Sequence, residues 1–404
     1  VSGRRQGAWE VFTVALRLGL TSFGGPFAHL GYFERVYVQR RKWLTPEAFG
    51  EIVALCQMLP GPVSSQVGFL IGLRRAGWAG AAAAWLGFTA PSAALMFAFA
   101  LAAPRMTGSA AAAILHGLKL TAVVIVAQAV WSMARRLTPD LARGLIAGLA
   151  ATLVLEARGP IIQLSALAAA AVLGAAFLRR QAEISATPRT PVGPRGGAVA
   201  FAAFLMLLIA SVVWSPNARQ GPLGLAAITY RAGALVFGGG HVVLPLLRAG
   251  IVPLGWLSDS QFLAGYGAAQ ALPGPLFAVA AFLGASAAPA GAGLAALAAW
   301  ATAPLVGIFL PGLLLVVAGA RVWDATSRYP WANGAIAGVN AAVVGVLAAA
   351  LYTPIGTAAV RGPADVVITG LGLVLLLLAR APPLAIIALN VAAALGVAAL
   401  EGPL

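Results

Sequence analysis

The sequence predicts an all-α polytopic membrane protein made of two inverted homologous repeats, with helices that are broken or re-entrant near mid-membrane. Three observations carry this. First, 61% of the 404 residues are hydrophobic and 9% are charged, with a mean hydropathy of +0.92, whereas a soluble domain is roughly 25% charged. Second, apolar runs of roughly 17 to 25 residues, enough helix to cross about 30 Å of hydrocarbon, recur from residue 77 onward. Leu145–Leu155 and Leu371–Leu378 are almost unbroken, which excludes the alternating pattern of a β-barrel. Third, the chain repeats itself at 213 residues: Gln57-Met58-Leu59-Pro60-Gly61-Pro62 returns as Gln270-Ala271-Leu272-Pro273-Gly274-Pro275, and Trp43-Leu44-Thr45 as Trp256-Leu257-Ser258. Upstream, Arg17 with Phe23-Gly24-Gly25-Pro26 matches Arg231 with Phe237-Gly238-Gly239-Gly240.

Thirteen apolar segments follow in order, at about 11–38, 48–73, 77–103, 110–134, 141–157, 160–178, 198–214, 223–251, 261–287, 292–318, 332–352, 364–379 and 382–400. The first six and the last six correspond. This divides the chain into an N-terminal repeat (1–178), an exposed linker (179–197) with Pro188, Pro191 and Pro194, a connecting helix (198–222) and a C-terminal repeat (223–404). Six plus one is odd, so the second repeat enters the membrane from the opposite side.

Charge tests the topology, because short cytoplasmic loops carry the excess of Lys and Arg. If every segment spans fully, the basic residues fall on alternating sides and the rule fails. If the Gly-Gly-Pro and Pro-Gly-Pro segments are hairpins, each arm has about 12 residues, or ~18 Å of helix, and turns at the midplane. Eighteen of the 26 Lys and Arg then lie in the cytoplasm and five outside: Arg105, Arg158, Arg219, Arg248 and Arg361. Arg17, Lys119 and Arg231 remain within apolar segments. The N-terminus is expected inside and the C-terminus outside, in a bacterial inner membrane. No cleavable signal peptide is expected from Val1–Trp9. The single cysteine, Cys56, excludes an intramolecular disulfide.

Glycine- and proline-broken apolar segments at matching places in two halves point to a transporter's substrate site. Arginine inside a membrane costs a few to more than ten kcal/mol and faces a partner or a water-filled cavity, so Arg17 and Arg231 either supply positive charge to an anion pathway or snorkel to headgroups. After Gly24-Gly25-Pro26 and Pro60-Gly61-Pro62 a helix should restart, exposing N–H groups and a partial positive charge, an anion site in the making. The second copies, Gly238, Gly239 and Gly240 and then Pro273, Gly274 and Pro275, repeat it. Ser64 and Ser65 could add hydroxyls that their counterparts Phe277 and Ala278 cannot, which places the polar load in the first half. Gln57 and Gln270, costly to bury unpaired, bond either freed backbone or a ligand. Lys119, one turn beyond His116 and matched by Asn340, is either a pathway cation or a structural charge between helices. His241 is either a ligand or a packing residue, and Glu51 is the one carboxylate considered as a coupling proton site.

The net charge of +15 reads as topology; no loop is long enough for a nucleic-acid-binding domain. No P-loop, H-E-x-x-H or G-x-S-x-G occurs, so neither ATP-driven transport nor an enzyme is expected, and no cofactor or metal. The partners are a transported ion and the lipid bilayer, with a homodimer left open.

At Leu18-Gly19-Leu20-Thr21-Ser22-Phe23-Gly24-Gly25-Pro26, Trp43-Leu44, the two Gln-x-Leu-Pro-Gly-Pro elements, Ala90-Pro91-Ser92, Phe237-Gly238-Gly239-Gly240-His241 and Phe309-Leu310-Pro311-Gly312, the chain resembles the chromate transporter family, in its long-chain two-domain form. The resemblance covers roughly residues 10 to 355. It implies export of chromate, a tetrahedral dianion, from the cytoplasm and resistance to it, with sulfate as competing substrate. A sulfate or other oxyanion permease, or an anion channel on the same hairpins, is the alternative.

Overall fold

Where glycine and proline interrupt the apolar runs, the helices break. The structure is a computed structural model and describes residues 2–23, 25–157, 160–178, 192–213, 221–236, 243–327, 329–379 and 381–401; no strand occurs among them. The segment 11–38 divides into α1 (Ser2–Thr21) and α2 (Gly25–Phe33), which runs on as a π-helix over Glu34–Arg40. The next begins at α3 (Pro46–Met58), where Thr45 accepts the Ala48 N–H and Pro46 fills the first position, a standard helix start. Glu47 in that first turn has its carboxyl held below the usual range by its own backbone N–H and the Thr45 hydroxyl. After Pro60-Gly61-Pro62 the chain restarts as α4 (Val63–Ala102), bent at Ala76–Gly77, where Gly77 adopts φ +64°. Then come α5 (Ser109–Leu137), α6 (Leu141–Glu156), α7 (Pro160–Phe177) and α8 (Pro194–Val213). Residues 194–197 of the expected linker are thus the first turn of α8.

The second repeat follows the same plan: α9 (Gly221–Ala234), α10 (Val243–Ile251), α11 (Asp259–Gln270) with a Ser258/Gln261 capping box, and α12 (Val279–Ala287) after the second Pro-Gly-Pro. Beyond it lie α13 (Leu294–Ser327), α14 (Pro330–Ala350), the single turn α15 (Thr357–Ala359), α16 (Pro363–Leu377) and α17 (Pro383–Glu401). Among the described residues, six helices are long and apolar enough to cross a membrane and three shorter ones are apolar, which does not establish the full thirteen segments.

The first two broken segments double back on themselves. Glu10 on α1 pairs with Arg41 at 3.3 Å and with Arg75 at 3.1 Å, and the Arg75 guanidinium lies 5.2 Å from the Trp43 ring centre. Exposed pairs of this kind contribute about 0–1 kcal/mol each; their value here is geometric. A full span from 11 to 38 would carry Arg41 to the opposite surface from Glu10. The ends of both of the first two segments instead return to Glu10 near the start of α1. In the second repeat Arg248 holds Asp259 with bonds of 2.6 and 2.8 Å, and Trp256 stacks edge-on against Trp300 at 5.7 Å.

Packing then binds the repeats together. α1 lies along α4 and α9 along α13, each through matched glycines. A Cβ on Gly19 would stand 2.6 Å from the Phe88 oxygen, and one on Gly233 would stand 2.2 Å from the Ile308 oxygen. Without hydrophobic drive between helices in lipid, such small residues let the backbones close up. The outer helices are exchanged: α6 and α7 pack on α14 of the other repeat, while α16 and α17 pack on α5. Gly338 meets the Ala170 oxygen and Gly117 meets the Val391 Cα, the same joint made twice. Each repeat therefore covers its core with helices of the other.

Candidate functional site

The exchange reaches the centre. The Gly61 N–H donates to the Val236 oxygen at 2.8 Å and the Gly274 N–H to the Ser22 oxygen at 2.9 Å, so each Pro-Gly-Pro glycine bonds the end of the first helix of the opposite repeat. Their φ angles are +123° and +95°, which glycine reaches without strain. The tips also seat on the long helices α4 and α13 next to their internal prolines. A Cβ on Gly61 would lie 2.8 Å from the Gly312 Cα, after Pro311, and one on Gly274 would lie 2.9 Å from the Ser92 hydroxyl, after Pro91. Gln66, fully buried, donates from Nε2 to the Pro60 oxygen at 2.9 Å and the Gly312 oxygen at 3.0 Å. The N–H groups of these two glycines are thus engaged between the repeats, and the turns act as crosspieces; the N–H groups expected at the helix restarts are those that follow them.

Beside the second crosspiece lies a cavity of about 420 Å³. Gly25 and Ala28 from the first turn of α2 line it, with Gln128 from α5 and Gln270 and Gly274 from the second hairpin. Gly25 has φ +79°, and a Cβ there would meet nothing within 4 Å, so the start of α2 is open to this space. Its first-turn N–H groups have no partner within the helix and carry the positive end of the dipole. The buried Tyr266 hydroxyl bonds the Gln270 side chain, whose Nε2 is itself buried and has no partner among the described residues; Gln270 lines the cavity as a polar wall. No Asp or Glu among the described residues lines it.

A second polar group surrounds the start of α4. Ser64 and Ser65 are buried, and the Ser64 hydroxyl lies 3.3 Å from His29 Nδ1. His29 Nε2, Ser65 Oγ and Ser22 Oγ, all buried, have no partner among the described residues. The α4 start has no side-chain cap.

The remaining candidates scatter. Arg17 is exposed, while Arg231 is half-buried beside Gln163 in a cavity of about 50 Å³; neither forms an ion pair among the described residues. The equivalence in sequence is not an equivalence of environment. Gln57 is exposed, unlike Gln270. Glu51 is exposed and feels the charge of Arg74, so it sits with the surface charges. Pro62, Pro273 and Pro275 are buried in the crosspieces, and Pro26 is the second residue of α2. Lys119 is buried at 5% exposure. Gly24, Gly238, Gly239, Gly240 and His241 lie outside the described residues. Sequence reasoning missed Gln66, Gln128 and the role of His29: none belongs to a repeated motif, and Gln66 is matched by Val279 in the second repeat.

Residues 9–214 and 223–397 match the family described as "Chromate transporter". The chain is 28% identical over 344 residues to a "Chromate transport protein" of Pseudomonas aeruginosa, covering 84% of this chain and 79% of that one. It is 29% identical over 347 residues to a "Probable chromate transport protein" of Synechococcus elongatus, covering 83% and 81%. A "Chromate transport protein" of Cupriavidus metallidurans is 28% identical over 347 residues, covering 83% and 80%. No solved structure matches the chain.

Proposed function

The chain belongs to the chromate transporter family, and on that premise we propose that it exports chromate from the cytoplasm across a bacterial inner membrane and so confers resistance. The observation that carries this reading is the lining of the 420 Å³ cavity: the open start of α2 at Gly25 together with the amide side chains of Gln270 and Gln128. A tetrahedral dianion has only acceptor oxygens. It complements walls that donate and carry no carboxylate, and helix N-termini are suited to it.

Sidedness follows from the charge count. With the Glu10–Arg41–Arg75 surface in the cytoplasm, the turn before α17, whose Ala381 and Pro383 line the cavity, is also cytoplasmic, so the ion loads from inside. The interior of the cell is negative. Moving a dianion outward releases about 4.6 kcal/mol per 100 mV, twice the single-charge value. The two repeats would rock about the crossed Pro-Gly-Pro turns, whose bonds to the opposite repeat make them shared pivots.

Chromate flux in proteoliposomes tests the reading. A hydrogen bond to a charged group contributes about 1.5–3 kcal/mol, so Gln270→Ala should raise KM for chromate at least tenfold in correctly folded protein. Sulfate competition in the same vesicles reports how far the site distinguishes the two dianions. Wild-type kinetics in Gln270→Ala would refute the placement of the ion.

A further inference from the structure

A second cavity, of about 580 Å³, lies elsewhere, where α5 and α16 both begin. Ser109 and His116 of α5 and Arg361 and Asp365 at the start of α16 line it. Neither helix start has a side-chain cap from its N-cap residue, Gly108 or Gly362, so two sets of first-turn N–H groups converge here. The one carboxylate is already engaged: Asp365 Oδ1 lies 2.8 Å from His116 Nε2, and Oδ2 accepts the Arg361 N–H at 2.8 Å. His116 Nδ1 is buried with no partner among the described residues. One turn along α5, Lys119 is 5% exposed, has no carboxylate partner among the described residues, and feels the repulsion of Arg361. Burying an ammonium within the field of a guanidinium, when the nearby Asp365 is already engaged by His116 and the Arg361 N–H, is costly unless an anion comes there.

This cavity and the one at Gln270 share a wall. Ile125 and Gln128 of α5 face the inner cavity, Ser109 and His116 the outer, and Lys119 lies between. There α5 is shut against its neighbours. A Cβ on Gly117 would stand 2.6 Å from the Val391 Cα of α17, and one on Gly267 of α11 would stand 2.1 Å from the Leu118 oxygen. Two chambers at either end of one closed neck fit the arrangement alternating access requires.

We propose that the outer cavity is a second oxyanion site, from which the dianion leaves after passing Lys119, held there by Arg361 and the two helix starts; this rests on the transport reading above. Purified protein in phosphatidylcholine nanodiscs is titrated with sulfate and with chromate by calorimetry. Two sites per chain are expected. Arg361→Gln should weaken one at least tenfold and Arg361→Lys by less than threefold, while Gln270→Ala weakens the other. A single site in the wild type, or two unchanged sites in Arg361→Gln, overturns the proposal. The same titration in phosphatidylglycerol nanodiscs separates the sources of the anion: if that lipid abolishes binding at the Arg361 site, a headgroup phosphate occupies it and the exit role is refuted. Chromate flux is measured in parallel. Two bound dianions without any flux would refute the transport reading while leaving the outer site in place.

Discussion

Replacing Gly61 with alanine should unfold the crossing, whereas replacing Gly25 should not. At both positions φ is positive, +123° and +79°, so a Cβ costs about 1–2 kcal/mol of backbone strain. The surroundings differ. At Gly25 the methyl enters open space, but at Gly61 it would stand 2.8 Å from the Gly312 Cα and 2.9 Å from Gln66 Nε2. The first atom is backbone, and the second is tethered by bonds to the Pro60 and Gly312 oxygens. Overpacking adds about 1–3 kcal/mol, and displacing Gln66 would leave buried carbonyls unpaired. Gly61→Ala should therefore lose about 2–5 kcal/mol and Gly25→Ala about 1–2 kcal/mol. Reversible unfolding in mixed dodecylmaltoside and dodecylsulfate micelles, followed by tryptophan fluorescence, measures both. Gly25→Ala should also slow chromate flux while folded, because its methyl sits at the open start of α2. Equal destabilisation by the two substitutions would refute the claim that the Pro-Gly-Pro turn is clamped by the other repeat.

Two further predictions concern architecture. Because α6 and α7 pack on α14, and α16 and α17 on α5, neither half of the chain cut within residues 179–191 should accumulate alone, and co-expression of both halves should restore chromate flux; a stable, monodisperse first half would contradict the exchange. A cysteine in place of Arg40 should be labelled from the cytoplasmic side of everted vesicles and not from outside intact cells; labelling from outside would contradict the hairpin and the assigned sidedness together.

Much of the fold was legible because it is written in local chemistry. Prolines and glycines at matching places announce breaks, apolar runs announce helices, and the distribution of arginines favours hairpins over full spans; the Glu10–Arg41–Arg75 contacts bring the ends of the first two segments together. The candidate site was less legible. The repeat drew attention to Gln57 and Gln270 alike, yet Gln57 is exposed and Gln270 lines a cavity. Repeated sequence reports common descent, and two copies that share a backbone need not share a neighbour. Gln128, Arg361 and Asp365 belong to no repeated motif, and only their meeting in space marks them.

The repeated Gln-x-Leu-Pro-Gly-Pro was thus determined by sequence as a break, since proline removes a donor and glycine opens φ wherever they stand. Where the freed N–H goes is a matter of tertiary structure. The Gly61 and Gly274 amides bond Val236 and Ser22, partners remote along the chain that only the crossing of the two repeats brings within 3 Å, and so each turn is fastened to the opposite repeat.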